Sequence, residues 1–146
     1  MYFIGIFIFL ALLIGAGSFS SSITSYIDFP SIVLIIGFTI PIMMASGLLS
    51  DFLKGFKLMG QNENPYTSIE LKRMLIANKL GISLILISAI MGTIMGGIAI
   101  LTNVSDMSML GPSFAVAILT TFYALVLTVV LLPIQAKIKA ILSTLE

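Results

Sequence analysis

Four stretches of this sequence contain no Asp, Glu, Lys or Arg: residues 1–27, 29–50, 80–105 and 107–136. Each is at least as long as the ~20 apolar residues that carry an α-helix across bilayer hydrocarbon. Charged residues are 9% of the chain and hydrophobic ones 59%, where an average soluble domain is about 25% charged. At a mean hydropathy of +1.20, a water-soluble fold would expose far more apolar surface than solubility allows. The sequence therefore predicts an all-α membrane protein of four transmembrane helices, forming one domain over residues 1–146. Its spans are expected at about 2–22, 30–50, 80–102 and 112–134, with an inner segment at 51–79. A soluble enzyme and a nucleic-acid binder are both excluded by this composition.

Orientation follows from the basic residues. Lys54, Lys57, Lys72, Arg73 and Lys79 lie between the second and third stretches, and Lys137 and Lys139 follow the fourth. The other two connections contain no Lys or Arg. All seven basic residues thus fall on one side, which the positive-inside rule makes cytoplasmic. Both termini and the middle segment are expected there, and the third helix is expected to extend out of the membrane on that side. The start of the chain lacks the basic region of a signal peptide, so the first helix is expected to be retained. With no Cys there is no disulfide, thiol nucleophile or thiolate metal site.

Local signals mark the helix ends. Asp28-Phe29-Pro30-Ser31 reads as a helix start, with a capping side chain and a proline in the first turn. Pro41 should bend the second span, as a kink or a hinge. Residues 51–60 read as that helix running on past the membrane, with an amphipathic face at the headgroups and Lys54 and Lys57 near anionic lipid. Residues 61–65 have turn composition. Thr67 and Glu70 match a capping box, and no breaker interrupts the pattern from Ser68 to Leu101. That is a helix of about 50 Å at ~1.5 Å per residue. Pro112 is expected to open the fourth helix after an outer loop from Asp106, and Pro133 to bend it near the inner end.

No span contains an ionisable residue, whereas pumps and coupled carriers place theirs within the membrane. The small multidrug carriers, also four-helix proteins, depend on such a Glu and are excluded. What the spans do hold is small and hydroxyl residues in stripes. On the fourth helix these are Ser113, Ala117, Thr120, Thr121, Ala124 and Thr128, at spacings of three and four. On the third, Ser88, Gly92, Gly96 and Gly97 form a ridge with Thr93 beside it, and residues 92–96 are formally a GxxxG motif. One reading is close helix packing, with each Thr hydroxyl bonded to a carbonyl one turn earlier. The other is a polar lumen in which Thr93, Thr120 and Thr121, with Thr128 and Ser113, coordinate a cation or order water. A Thr hydroxyl does not ionise near neutral pH, so it cannot be the proton-binding group. The nine methionines, Met43, Met44, Met91 and Met95 among them, read as flexible packing, and Phe3, Phe7 and Phe9 as lipid-facing. Lys54, Lys57, Glu70, Lys72 and Arg73 are the candidate cytoplasmic partner contacts. As isolated surface charges their simplest reading is solvation.

These residues resemble the MotA/TolQ/ExbB family, the channel-forming subunits of ion-driven motors. The likeness rests on Asp28-Phe29-Pro30-Ser31 with Gly37, Thr39, Ser46 and residues 51–54, on Gly92-Thr93-Ile94-Met95-Gly96, and most specifically on residues 110–123 (LGPSFAVAILTTFY) continuing to Leu132-Pro133. The resemblance implies five subunits around two copies of a single-span MotB- or ExbD-like partner, which brings the ion-binding Asp. Thr93, Thr120 and Thr121 fall on family positions that line the ion path. The implied cargo is H⁺ or Na⁺, with no cofactor, and the implied setting is the bacterial inner membrane. Two departures stand out. Leu86 occupies the place of a proline in flagellar members, and the inner segment is much shorter than the rotor-pushing region of those members. Both imply a compact unit serving another machine. The alternative, from a different class, is a non-conducting tetraspan scaffold that recruits a partner by small-residue packing.

Overall fold

The computed structural model describes residues 1–20, 26–61, 63–102 and 107–145. They form five helices: α1 (Tyr2–Ser20), α2 (Phe29–Ala45), α3 (Leu49–Met59), α4 (Ser68–Thr102) and α5 (Met107–Leu145). No strand occurs among the described residues. Three helical stretches are long and apolar enough to cross a membrane by themselves: Tyr2–Phe19, Ser68–Thr102 and Ser113–Leu145. A fourth arises from α2 and α3 taken together, which are bent by 110° at the break between them.

That break corrects the expectation of one helix running through residues 51–60. The α2 helix ends at Ala45 because Gly47 turns left-handed, at φ 67°. The Gly47 N–H donates to the Met44 carbonyl, and the Leu48 N–H reaches back to that of Met43. Leu48 also packs on the fully buried Met43. This is a Schellman ending, in which glycine relieves the Cβ penalty of the αL residue and a hydrophobic pair seals the turn. The helix itself runs through Pro41 without interruption, and the sharp turn lies several residues beyond it. Likewise α5 continues through Pro133 as one 39-residue helix.

The predicted starts of α2 and α4 are present. The Asp28 carboxylate accepts from the Ser31 N–H at 2.9 Å, with Pro30 in the first turn. The Thr67 N–H donates to Glu70 Oε2 at 3.0 Å, and the Glu70 N–H to Thr67 Oγ1 at 3.4 Å. From that capping box α4 runs 35 residues. Pro112 does not open α5, which begins at Met107. Residues 107–111 are mostly Met and Leu, good helix formers, and one proline removes only one ladder bond. Asp106, expected in the outer loop, lies outside the described residues.

Packing is organised around an antiparallel α4–α5 pair. A side chain at Gly96 would meet the Ala117 Cβ at 2.6 Å, and one at Gly92 the Thr120 Cγ2 at 2.5 Å. The two backbones approach closely only because both α4 positions are glycine. The α2 helix lies alongside, its Ile35 joining a core with Ile85, Ala124 and Leu131. The amphipathic α3 then seats its apolar side on the pair. The Phe52 ring covers Gly81 so closely that a Cβ there would lie 2.6 Å from it, and Ile134 faces Gly55. Lys137 closes the end of α3, its Nζ donating to the carbonyls of Leu58 at 2.8 Å and Gln61 at 3.1 Å. A cation at a helix C-terminus is favoured by the orphan carbonyls and the dipole there.

The first helix is the least embedded. Phe3 and Phe7 are exposed and Phe9 half-buried, which suits contact with lipid. Its attachments include the Tyr2 hydroxyl donating to the Val130 carbonyl at 3.0 Å and the Tyr26 ring, which would lie 3.4 Å from a Cβ at Gly17.

Candidate functional site

The stripe on α5 divides into two faces. Consecutive residues on an α-helix point about 100° apart, and this separates Thr120 from Thr121. Thr120 is fully buried, with Ala117 and Ala124 on the same inward face. There its Oγ1 lies 2.7 Å from Ser31 Oγ of α2, which is equally buried. Ser113 is half-buried on this side, and its carbonyl would stand 3.2 Å from a Cβ at Gly96. Thr121 instead lies on the exposed arc, near Phe114, Ile118 and Leu125. Thr128 falls two turns further along that arc. It is half-buried, and its hydroxyl has no hydrogen-bond partner among the described residues.

On α4, Thr93 faces the same exposed surface, and the two hydroxyls meet. Thr93 Oγ1 and Thr121 Oγ1 are 2.9 Å apart. Thr93 is also 3.0 Å from the Ala89 carbonyl, and Thr121 3.5 Å from that of Ala117. Two hydroxyls hold two protons between them. If Thr121 donates to Thr93 and Thr93 to the Ala89 carbonyl, acceptor lone pairs remain on both oxygens. The pair is therefore a neutral oxygen ligand, suited to sodium or ordered water, with no group that takes up a proton near neutral pH. Its surroundings are apolar: Leu86, Ile90 and Ile94 on one side, Phe114 and Ile118 on the other. Among the described residues no group of acidic or histidine side chains could hold a metal ion.

Gly92 and Gly96 lie in the α4–α5 contact, whereas a Cβ at Gly97 would meet nothing within 4 Å. Of the methionines, Met43 is in the core, and Met44, Met91 and Met95 are exposed.

The candidate cytoplasmic contacts are largely engaged within the chain. Asp51, whose side chain is only 7% exposed, accepts from Arg73 Nε at 2.9 Å and faces Lys54 Nζ at 3.4 Å. Lys54 also reaches Glu70 at 3.8 Å. The Thr67 backbone N–H, and then its hydroxyl, hold the Glu70 carboxyl below its ordinary range. Lys57 is exposed with no partner among the described residues, and Lys72 is exposed. Sequence reasoning missed two residues of this arrangement, Ser31 as the partner of Thr120 and Asp51 as the buried centre of the charge cluster.

No individual curated protein matches the chain. The model of the MotA/TolQ/ExbB proton channel family matches residues 71–146, which takes in nearly all of α4, the whole of α5 and both members of the threonine pair. Just over half of the sequence is covered, on the two helices that carry the exposed hydroxyl face, and the chain belongs to the MotA/TolQ/ExbB proton channel family.

Proposed function

We propose that this protein is the channel-forming subunit of an ion-driven stator complex, coupling proton or sodium flow to mechanical work. Five copies enclose two copies of a single-span MotB- or ExbD-like partner, whose Asp carries the ion past Thr93 and Thr121. The complex sits in the bacterial inner membrane with both chain termini cytoplasmic, and α4 extends beyond the membrane on that side through Lys72, Arg73 and Lys79. The observation that carries the reading is the Thr93–Thr121 hydroxyl pair on an exposed, otherwise apolar face, in a chain whose spans contain no acid. A wall that offers neutral oxygen ligands and no titrating group needs a carboxylate from a second polypeptide. The membrane potential, worth about 2.3 kcal/mol per charge per 100 mV, supplies the work.

Reconstitution tests this. Expressed with a single-span MotB- or ExbD-like protein whose span carries an Asp, the chain is expected to copurify at five to two and to pass cations only in that complex. Selective cation flux through the chain alone would overturn it. The rival, a non-conducting scaffold, is favoured by the bonds that Thr93 and Thr121 make to carbonyls of their own subunit. An intact complex that passes no ions would establish that rival.

A further inference from the structure

We infer that the first turn of α2 is the positioning element for the hydroxyl face: Ser31, through its contact with Thr120, fixes the rotation of α5 that points Thr121 at Thr93. The inference deepens the reading of that face as an ion path, but its geometry is testable without ion flow.

Thr120 and Thr121 are adjacent, so the direction of one sets the direction of the other. Thr120 is held on two sides. Its methyl fills the space that a side chain at Gly92 would need, with only 2.5 Å to a Cβ there. Its hydroxyl meets Ser31 Oγ at 2.7 Å, both residues at 0% exposure. Ser31 is itself fixed, since its N–H donates to the Asp28 carboxylate in the cap of α2. One turn further along α5, the Tyr123 hydroxyl accepts from the Asp28 N–H at 3.0 Å and donates to the Tyr26 carbonyl. The segment 26–31 therefore grips α5 at two points three residues apart. Close packing alone would be met by Ala at position 31 and Val at position 120, which keeps the methyl against Gly92. Two facing hydroxyls add direction, because hydroxyl contacts within an apolar interior hold only at one relative rotation.

The chain contains no cysteine, so Thr93→Cys with Thr121→Cys introduces the only two thiols. Oxygens 2.9 Å apart place the replacing sulfurs within small adjustments of disulfide geometry. In native membranes holding the full complex, mild oxidation is expected to give an intrachain disulfide, read by mass as the linked peptide pair. Adding Thr120→Ser, which keeps the hydroxyl, is expected to preserve the rate. Thr120→Val is expected to slow it several-fold, as is the double change Ser31→Ala with Thr120→Val. The double change removes both members of the hydroxyl pair together, so neither hydroxyl is left facing an apolar group across the α2–α5 contact. Crosslinking of the double variant at the parent rate would overturn the inference, as would failure of the parent cysteine pair to crosslink. Ion flux is measured separately in Thr93→Ala and Thr121→Ala. Normal flux there with the expected crosslinking pattern would sink the ion-path reading and leave the positioning role standing.

Discussion

Arg73 Nε donates to Asp51 Oδ2 at 2.9 Å, across 22 residues of sequence, and so ties α3 to the start of α4. The Asp51 side chain is 7% exposed and that of Arg73 58%. The carboxylate therefore depends on its partners far more than the guanidinium does. Arg73→Ala is expected to destabilise the chain by about 2 kcal/mol, the range for a hydrogen bond to a charged group, with Lys54 as the remaining counter-charge. Asp51→Asn, which removes the buried charge, is expected to cost less. Thermal unfolding in detergent checks the order, and an Arg73→Ala chain as stable as its parent would show that the cluster does not hold α3 in place.

The hydroxyl pair makes a sharper demand. Thr121→Ala or Thr93→Ala is expected to abolish ion-driven activity while leaving the assembled complex intact, and Thr121→Ser to retain activity. Ion flux in proteoliposomes, beside the native mass of the complex, separates the two effects. Normal flux in both alanine variants would remove these residues from the path.

The glycines of α4 are not equivalent. An added methyl at Gly92 or Gly96 would lie 2.5–2.6 Å from α5 atoms, while Gly97 has open space. Gly92→Ala and Gly96→Ala are each expected to cost about 1–3 kcal/mol through overpacking. Gly97→Ala is expected to be neutral, or stabilising by up to about 1 kcal/mol through helix propensity. A subunit that folds normally with Gly97→Ala but no longer oligomerises would place that glycine against a neighbouring copy.

Much of this arrangement is legible in the residues. Charge-free runs place α1 and α2, and the Asp28 cap and the Thr67–Glu70 box mark the starts of α2 and α4 almost to the residue, because each signal is local. The turn at Gly47 is local too, but Ser46-Gly47 reads as two small residues within an apolar run until the αL backbone is seen. The division between Thr120 and Thr121 is not local. Spacings of three and four admit both into one stripe, and only the facing residue decides which turns inward. Gly92 decides it, since a bare backbone accepts the Thr120 methyl. Nothing in periodicity pairs Asp51 with Arg73 or Ser31 with Thr120, for those contacts follow from how helices cross.

The capping box gives a pH dependence. Bonds from the Thr67 N–H, and secondarily its hydroxyl, lower the folded-state pKa of Glu70 below the ~4.3 of an unfolded chain. A depressed carboxyl contributes stability that is present above the unfolded value and is lost as pH falls through the folded one. The start of α4 is therefore expected to fray only in that acid window. Amide exchange of residues 68–71 against pH reports it, and Thr67→Ala, which keeps the backbone N–H and removes only the hydroxyl, is expected to return the Glu70 titration part of the way toward the ordinary range. An ordinary Glu70 titration in the parent protein would show that the box does not persist in the membrane.

Asn78 presents the opposite problem, a polar group with nothing to bond. It is 1% exposed on the packed face of α4, and neither its amide oxygen nor its nitrogen has a partner among the described residues. A buried, unsatisfied amide costs about 1–3 kcal/mol, whereas an apolar group of similar shape costs nothing of the kind. Leucine has the same heavy-atom branching with somewhat larger end groups, and the neighbours along the face include Met74, Leu71 and Ile85. Asn78→Leu is thus expected to raise the midpoint of thermal unfolding, by the equivalent of about 1–2 kcal/mol after some loss to imperfect packing. A lowered midpoint would mean that the amide is satisfied in the native protein by an internal water or a neighbouring subunit. A structure of the assembled complex would then show that partner at position 78.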